Sequence, residues 1–423
     1  MGYQMLCVFF LLVMAVFAQE GEDSCSEDEK EEEGEDYCVP LTPAEIRMKK
    51  LVPALNDFAF NLQKKFAHYK NEDAYFSPLS LATVFAMLHY GSRGKTAQEL
   101  GNMLGFAETN LTNDEVHTAF NELLKKIPWK SDIYRLTNAN ALLVDKTASL
   151  FRDYKISMKQ VYNGSVRGVD FETKSSEIKS DANDWVKRKT RGEIHHIVNR
   201  IAPNTKFAIL SAAHFKGKWK TKFELNNTRK EIFNNGGFFR LAKEVPMMHM
   251  RATLPYKMEE GFKILELPYE DENLSMLVLL PKHNDNLPNL ESAITAETLK
   301  LIRRNMHRTR VIVSMPRVKL EYSNELSGII HAAGAKKIFQ ERADFSGMMR
   351  NRSVFVRLIM HSTLLEISEC GTEAALETPD LESIRRSFMS LRIPLFIVNR
   401  PFMIIIIDNR NDMILFMGRI IRV

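Results

Sequence analysis

Cysteine is scarce in this chain, with four among 423 residues. No C-x-x-C pair and no cluster of cysteine and histidine with metal-ligand spacing occurs, which argues against zinc and thiol redox sites. Cys7 lies in an apolar run at the start of the chain, Cys25 and Cys38 can pair with each other, and Cys370 is then the odd thiol. We therefore expect no metal and no other obligatory cofactor.

Motifs of common enzyme classes are also missing. The segment GSRGKT at 91–96 contains a glycine-lysine pair, but a phosphate-binding loop needs a further glycine where His89 stands. No G-x-S-x-G elbow occurs, so a hydrolase of that type is excluded. The adjacent imidazoles of His195 and His196 cannot share one helix face to hold a metal. These absences predict that the protein is not an enzyme.

Long apolar runs are absent except at the N-terminus. Residues 5–18, MLCVFFLLVMAVFA, are too few to span a bilayer comfortably, and Ala15 and Ala18 form a small-residue cleavage pattern before Gln19. No basic residue precedes the run. We interpret residues 1–18 as a secretory signal peptide, with a retained membrane anchor as the alternative, and expect a secreted, extracellular protein.

Sequons for N-linked glycosylation agree with export. In a secreted chain an N-x-[ST] sequence is a candidate glycan site and therefore a predicted surface position. The five asparagines of such sequences are Asn110, Asn163, Asn226, Asn273 and Asn351.

Charge divides the chain into two unequal parts. Residues 19–38 contain eleven acidic residues and one lysine, a net charge of −10, whereas the whole chain carries +5 and residues 1–18 carry none. The body from Val39 onward therefore carries +15. Because an acidic tail has little to bury and repels itself, we expect residues 19–42 to be disordered. The tail serves solubility or, as a polyanion, contacts the basic body or a basic surface of a partner.

Basic residues of the body form clusters. Such clusters are either solvated surface or a binding site for a sulfated, heparin-like glycan that would act as an activator. The first closes a helix predicted to begin near Asp114 and consists of Lys125, Lys126 and Lys130. A second cluster consists of Arg303, Arg304, Arg308 and Arg310.

The pattern of apolar residues predicts a mixed fold. Apolar residues recur at three- and four-residue steps in amphipathic helices, and this holds for residues 44–67, 94–105, 114–127, 177–190 and 295–305. Alternating or continuous apolar runs predict strands, at 137–144, 207–215, 263–268, 274–280, 310–314, 353–367 and 393–421. Without an internal repeat or a long linker, residues 43–423 should form one large mixed α/β (α+β) domain.

A stretch rich in small and polar residues precedes the apolar C-terminal region. Residues 367–387, ISECGTEAALETPDLESIRRS, begin with small and polar residues and end with two adjacent arginines. This composition predicts an exposed loop that a trypsin-like protease could cut.

From about Leu51 to Val423 the sequence resembles the serpin family. The similar stretches, in order, are YFSPLSL (75–81), GSRGKTAQELGNMLGF (91–106), ANDWVKRKTRGEI (182–194), HFKGKWKTKF (214–223), VPMMHM (245–250), ELPYEDENLSMLVLLP (266–281), ADFSGM (343–348) and FIVNRPFMIII (396–406). The resemblance implies a metastable serpin fold with three β-sheets, eight or nine helices and an exposed reactive loop at about 369–393.

The resemblance also assigns roles to residues. The hinge of the reactive loop would consist of Glu369, Gly371, Thr372, Glu373, Ala374 and Ala375. Family spacing places the scissile residue at Arg385, so that the reactive bond joins Arg385 and Arg386; a bond between Arg386 and Ser387 is the alternative. A structural gate in the main sheet would contain Ser77, Ser211, Trp219 and His361, with Ser211 where many serpins carry asparagine. Because His361 lies in an apolar strand, a buried polar network is also expected around it.

The function implied is inhibition of an extracellular trypsin-like serine protease by a covalent acyl-enzyme that loop insertion traps. The alternative is a non-inhibitory serpin, a carrier, chaperone or storage protein whose loop is cut without trapping. Leu376, Pro379 and Asp380 favour the alternative, because bulk, a missing N–H and a buried carboxylate all hinder a central strand. Oxidation of Cys370 beside the hinge could also block insertion. We expect a monomer without nucleic-acid or membrane partners.

Overall fold

The computed structural model describes residues 41–69, 72–127, 129, 131, 133–284, 286–350, 354–370 and 393–423. Residues Thr42–Val423 form one compact unit. The predicted signal peptide, and the predicted acidic tail up to residue 40, lie outside the described residues.

Nine α-helices lie within the described ranges. They are α1 Pro43–Tyr69, α2 Pro78–Gly91, α3 Gly94–Met103, α4 Asn113–Lys126, α5 Arg152–Tyr162, α6 Phe171–Lys189, α7 Leu287–Ala293, α8 Ala296–Arg304 and α9 Ser327–Ala332. The apolar stripe of α1 is buried, as its periodicity predicts. Helix α2 is buried on almost all sides. Its N-cap is Ser77, whose side chain accepts a hydrogen bond from Ser80 N, and Pro78 is its first residue. In the described part of the chain, no helix has the length and apolar character needed to cross a membrane.

A five-stranded sheet forms one layer of the fold. In spatial order its strands are β10 Val318–Glu325, β11 Leu358–Ile367, β4 Phe207–Gly217, β2 Tyr134–Asp145 and β3 Ser165–Val169. Strand β11 is parallel to β4 and antiparallel to β10. Residues of α6, including Ile178 and Trp185, pack with Ala141 and Leu210 of the sheet in one apolar cluster. The alternate side chains, such as Ile209 of β4, belong to the main core on the other face.

A nine-stranded sheet contains the remaining strands. They are β1 Ala74–Phe76, β14 Met413–Ile420, β13 Phe402–Asp408, β8 Leu274–Pro281, β7 Phe262–Pro268, β6 Ala242–Met258, β9 His307–Pro316 and β12 Leu395–Ile397, with β5 Arg229–Asn234 also pairing with β6. The long strand β6 pairs with β5, β9 and β7 along its length. Two of the three expected sheets are therefore joined through β6.

The predicted mixed α/β fold is confirmed, but the sequence predictions missed helices α2, α5, α7 and α9 and strands β1, β3, β5, β6 and β10. Predicted elements that are present differ from the structure at their ends. The run 353–367 becomes a strand only from Leu358, because Val356 N donates to Ile338 O outside the sheet; Arg357 N makes the first bond to β4, at Phe207 O. The run 393–421 contains three strands rather than one. Strand β12 pairs with β9, whereas β13 and β14 pair with each other as an antiparallel hairpin.

Candidate functional site

The boundary between strands β4 and β11 lies directly before the segment that contains the predicted loop. Seven residue pairs, from Leu358 with Ala208 to Leu364 with His214, align in parallel across it. The chain leaves β11 at Ile367 and enters the segment 371–392. A segment that turned back between the two strands would run antiparallel to both. Antiparallel pairing is slightly more stable per residue than parallel pairing, so the boundary is suited to accept a strand.

A polar cluster, formed by Ser77, Ser80, Ser211 and His361 and called here the central cluster, crosses this boundary. Ser77 N donates to His361 Nε2 at 3.1 Å, so the imidazole proton lies on Nδ1 and is donated to Ser211 Oγ at 3.0 Å. Ser211 Oγ lies 2.9 Å from Ser80 Oγ, which donates to Asn138 Oδ1 at 2.7 Å. One directed chain of hydrogen bonds therefore joins α2, β11, β4 and β2.

Burial determines the protonation state of the central cluster. His361 is fully buried, and this desolvation lowers its pKa to about 3. The ring is therefore neutral at physiological pH and fits the donor and acceptor on its two sides. The predicted buried network around His361 is present in the structure, and it includes Ser77 and Ser211 of the predicted gate. Asn138, Asn140 and Ser80 were not predicted from sequence; Asn140 Nδ2 donates to Asn138 Oδ1 at 2.7 Å.

A second group of contacts, called here the upper anchor, holds the end of β11. Trp219 N donates to Cys370 O at 3.1 Å, and Trp219 Nε1 donates to Ser368 O at 3.0 Å. Phe223 N donates to Glu369 O at 2.8 Å. The main chain just before residue 371 is therefore fastened to the segment that follows β4.

The side chain of Glu369 is also held in the upper anchor. It is buried, accepts a hydrogen bond from Thr228 Oγ1 at 2.7 Å and forms an ion pair with Arg317. Burial alone would raise the pKa of Glu369, but the bonds from Arg317 and Thr228 outweigh it and hold the pKa below its ordinary value. Glu369, one of the predicted hinge residues, is thus held by both its main chain and its side chain directly after β11.

The other predicted loop residues lie outside the described part of the chain. These are the hinge positions Gly371, Thr372, Glu373, Ala374 and Ala375, the unfavourable positions Leu376, Pro379 and Asp380, and the reactive-bond positions Arg385, Arg386 and Ser387. The two ends of the segment are described: Cys370 is buried at the upper anchor, and Pro394 O accepts a hydrogen bond from Ile312 N beside β12. The segment 371–392 therefore connects the five-stranded sheet to the nine-stranded sheet.

The predicted polyanion site is partly neutralised in the structure. Lys125 and Lys126 are exposed at the end of α4, but Lys126 Nζ lies 3.4 Å from Glu45 Oε1. Arg47, also on α1, is paired with Glu122. Lys130 lies outside the described residues.

Sequon asparagines occupy different environments. Asn110, Asn163 and Asn226 are exposed, and the first two adopt the left-handed conformation at a 3₁₀-helix or helix end. Asn273 is half-buried and donates to Asp271 Oδ2 at 2.8 Å. Asn351 falls outside the described residues.

The histidine pair lies on a loop rather than a helix. His195 and His196 are exposed after α6 and line a groove of about 410 Å³ with residues of that helix. Over the described ranges, no group of three or more metal-ligating side chains comes together.

Comparisons with known proteins agree with the geometry. A family model described as Serpin (serine protease inhibitor) matches residues 53–423. Intracellular coagulation inhibitor 2 of Tachypleus tridentatus is 31% identical over 373 residues, which are 88% of this chain and 90% of that protein. Human thyroxine-binding globulin superposes with a TM-score of 0.81 at 26% identity, covering 89% of this chain and 99% of the globulin. The mouse protein Z-dependent protease inhibitor superposes with a TM-score of 0.80 at 25% identity, covering 89% and 98%.

Proposed function

This chain belongs to the serpin family, and we propose that it inhibits a trypsin-like serine protease as a suicide substrate. The protease would bind Arg385 or Arg386 in its carboxylate-lined specificity pocket and attack the following peptide bond. The acyl-enzyme would then be carried along as the cleaved loop enters the five-stranded sheet.

The observation that carries this proposal is the parallel pairing of β4 and β11, directly before the predicted loop. The closed sheet holds seven register pairs at this boundary. An inserted strand would replace them with two antiparallel ladders, and each added backbone hydrogen bond contributes about 1 kcal/mol. Insertion is therefore favourable once cleavage frees the loop, and the native sheet remains closed while the loop is intact.

Trapping depends on the competition between insertion and deacylation. The upper anchor and the central cluster must both open before a strand can enter, because the first fixes Glu369 and the second bridges Ser211 to His361. Small hinge side chains at Thr372, Ala374 and Ala375 favour a rapid start. Pro379 and Asp380 hinder the later steps, because a central strand needs the missing N–H and cannot pair the carboxylate.

The alternative function, loop cleavage without trapping, is supported by these loop residues and by the similarity to thyroxine-binding globulin, whose name indicates a carrier. The two functions differ in what trypsin does to the purified protein. An inhibitor forms a band on a denaturing gel at the summed mass of chain and protease, whereas a substrate is nicked while trypsin activity persists. A strongly raised melting temperature after cleavage would show that insertion has occurred in either case.

The proposed location is extracellular. The N-terminal apolar run, its cleavage pattern and the exposed sequons at Asn110, Asn163 and Asn226 support export. The coagulation inhibitor of Tachypleus tridentatus is named as intracellular, so family membership alone does not favour secretion. Mass spectrometry of the protein from medium and lysate tests this, since export predicts a new N-terminus at Gln19 and glycan mass on the sequons.

A sulfated glycan is proposed as an activator at the end of α4. The exposed cations Lys125 and Lys126 support it, and the ion pair of Lys126 with Glu45 weakens it. Heparin should accelerate inhibition of trypsin, and Lys125→Glu should remove that acceleration. A rate that is the same with and without heparin would reject the glycan.

A further inference from the structure

The outward face of strands β6, β9 and β12 carries an unusual set of side chains, called here the arginine face. Directly opposed residues on neighbouring strands lie on the same face of a sheet, and Arg251, Ile312 and Leu395 form one such row across the three strands. The arginines and aliphatic residues of this face are Arg251, Arg308, Arg310, Ile312, Leu395 and Ile397; Thr253, opposite Arg310, is exposed on the same face, and His249 and Ser314 share a row with Ile397. The opposite face of the same strands is buried, as Val311 and Phe396 illustrate.

The charges of the arginines of this face are not neutralised by carboxylates of the described chain, although Arg308 Nη2 donates a hydrogen bond to Thr253 O of β6 at 3.3 Å. Arg303 of the same predicted basic cluster forms ion pairs with Glu266 and Asp412. By contrast, none of the three arginines of the face forms an ion pair with a carboxylate of the described chain. Arg251 is half-buried, and its Nε has no hydrogen-bond partner within the described structure. The basic cluster predicted from the sequence is therefore divided. Arg303 forms ion pairs within the fold, whereas Arg308 and Arg310 form none with the described carboxylates.

Charges at the margins of the face are already paired or add to it. Glu231, near the next row, lies 3.2 Å from His249 Nε2 and 2.6 Å from Arg229 Nε. On the outer edge of β12, Lys263 Nζ donates to Leu395 O at 2.9 Å, and Arg400 Nη1 to Ile397 O at 3.4 Å. The field outside this face is therefore positive.

Apolar side chains accompany the arginines. Leu395 is 43% exposed and Ile397 is 36% exposed, whereas Phe396 between them is fully buried. Arginine next to exposed aliphatic side chains is typical of protein interfaces, where arginine is enriched and lysine depleted. A binding site for a sulfated glycan requires cations but gains little from Leu395 and Ile397. The composition of the face thus favours a protein partner.

The position of the face limits which protein this can be. Leu395 lies ten positions after the predicted scissile Arg385, and ten residue steps of extended chain reach at most about 35 Å. A trypsin-like domain of about 220 residues has a radius of gyration of about 17 Å and is roughly 45 Å across. A protease that holds Arg385 in its cleft is therefore within reach of the arginine face.

We propose that the arginine face is a second contact surface for the protease and selects enzymes whose surface beside the catalytic cleft is acidic. This inference rests on the proposed function, because it places the same protease on both the loop and the face. Opposite charges accelerate encounter, and the apolar residues contribute once the surfaces meet. The reactive arginine would thus define the cleavage chemistry, and the face would discriminate among enzymes that share it.

The test compares anionic and cationic trypsin isoforms, which share a preference for arginine and differ in surface charge. The variant is Arg308→Glu combined with Arg310→Glu, since both side chains are exposed. The matched control is Lys155→Glu combined with Lys159→Glu on α5, two exposed cations on another element. We would measure the rate of covalent complex formation with both active isoforms at low and high salt. We would also measure the affinity for both isoforms made inactive by replacing the nucleophilic serine with alanine, under the same conditions.

We expect the arginine variant to react with anionic trypsin about tenfold more slowly than the unmodified chain at low salt, and this effect should be largely lost at high salt. With cationic trypsin, the rate of the variant should stay within about twofold of that of the unmodified chain. The control should retain the isoform preference. Equal effects on both isoforms, or no effect, would overturn the inference. So would a change confined to heparin affinity, which would assign the face to a glycan. If the unmodified chain forms no covalent complex, the proposed inhibition fails, and the affinities for the inactive enzymes still decide whether the face binds an acidic protease.

Discussion

Ser211 and His361 lie directly opposite each other on parallel strands β4 and β11, and Oγ and Nδ1 are 3.0 Å apart. The bond crosses the boundary at which a strand would enter. Insertion must break it, whereas the neighbouring bond between Ser323 and Ser362, at 2.7 Å, joins β10 to β11 and need not break. Comparing variants that lack one bond or the other therefore distinguishes an effect on opening of the sheet from an effect on overall stability.

Replacing Ser211 by alanine should make opening easier. Loss of a buried hydrogen bond costs about 1 kcal/mol of native stability, and if the barrier to opening falls by the same amount, spontaneous conversion accelerates about fivefold. The measurement is the loss of trypsin-trapping activity on incubation at 37 °C, with the melting temperature of the product. Ser323→Ala is the control and should lower stability without accelerating conversion. Equal conversion rates for the two variants would show that the central cluster does not control opening.

The ion pair between Arg317 and Glu369 should contribute to closure of the upper anchor. Because Arg317 is partly exposed, solvent screens the pair, and we expect a coupling energy of about 0.5–1 kcal/mol between Arg317→Met and Glu369→Gln in a double-mutant cycle of chemical unfolding. The exposed pair of Lys220 and Glu272 provides the comparison and should couple less strongly. Absent coupling at Arg317 would mean that Thr228 alone holds the carboxylate.

Stability should fall as the solution becomes acidic. In the unfolded chain an imidazole binds a proton below its ordinary pKa of about 6.5, whereas burial lowers the pKa of His361 in the folded chain to about 3. Between these values the unfolded state holds more protons, so this residue contributes stability above about pH 6.5 that is lost towards about pH 3, by up to 1.4 kcal/mol per pH unit. Burial likewise lowers the pKa of His117 to about 3 and those of His89 and His214 to about 4.

Chemical unfolding at pH 7 and pH 5 measures this dependence. His361→Gln should lower stability at pH 7, because the amide cannot reproduce both bonds of the ring, and should reduce the loss between pH 7 and pH 5. His195→Gln, at an exposed position, should change neither quantity. An unchanged pH slope in His361→Gln would contradict the assignment of a neutral buried ring.

Arg385→Ala should abolish the action of the protein on trypsin-like enzymes if the reactive bond follows Arg385. Mass spectrometry of the fragments identifies the cleaved bond, and Arg386→Ala serves as the paired variant. Full activity of Arg385→Ala together with loss of activity in Arg386→Ala would place the bond between Arg386 and Ser387. Both variants leave the described sheets untouched, so their melting temperatures should match that of the unmodified chain.

Local pattern predicts much of this fold, but not all of it. The stripe of α1 is visible in the sequence because one side faces water. Helix α2 lacks such a stripe because it is buried on all sides, so periodicity does not reveal it. The union of two sheets through β6 depends on which strands meet in space, and apolar runs do not contain that information.

The candidate site was predictable only in part for the same reason. His361 attracts attention as a polar residue within an apolar strand, and its need for partners follows from burial. Its partner Ser211 is 150 positions away, and Thr228 is 141 positions from Glu369. The family resemblance assigned Ser211 to the gate, but serine and threonine are common throughout the chain, and nothing in the local surroundings of Thr228 distinguishes it. Only the pairing of β4 with β11 and the turn after β4 bring them to the site.

Thr228 completes the sequon of Asn226 and also donates its hydroxyl to the carboxylate of Glu369. If a glycan is attached at Asn226 during export, the glycosylating enzyme requires the hydroxyl of Thr228 while the chain is still unfolded. Substitution of Asn226 then removes the glycan without affecting the upper anchor. Substitution of Thr228 by any residue other than serine removes the glycan and also the hydrogen bond to the carboxylate of Glu369. A descendant of this chain without the sugar should therefore still carry threonine or serine at position 228.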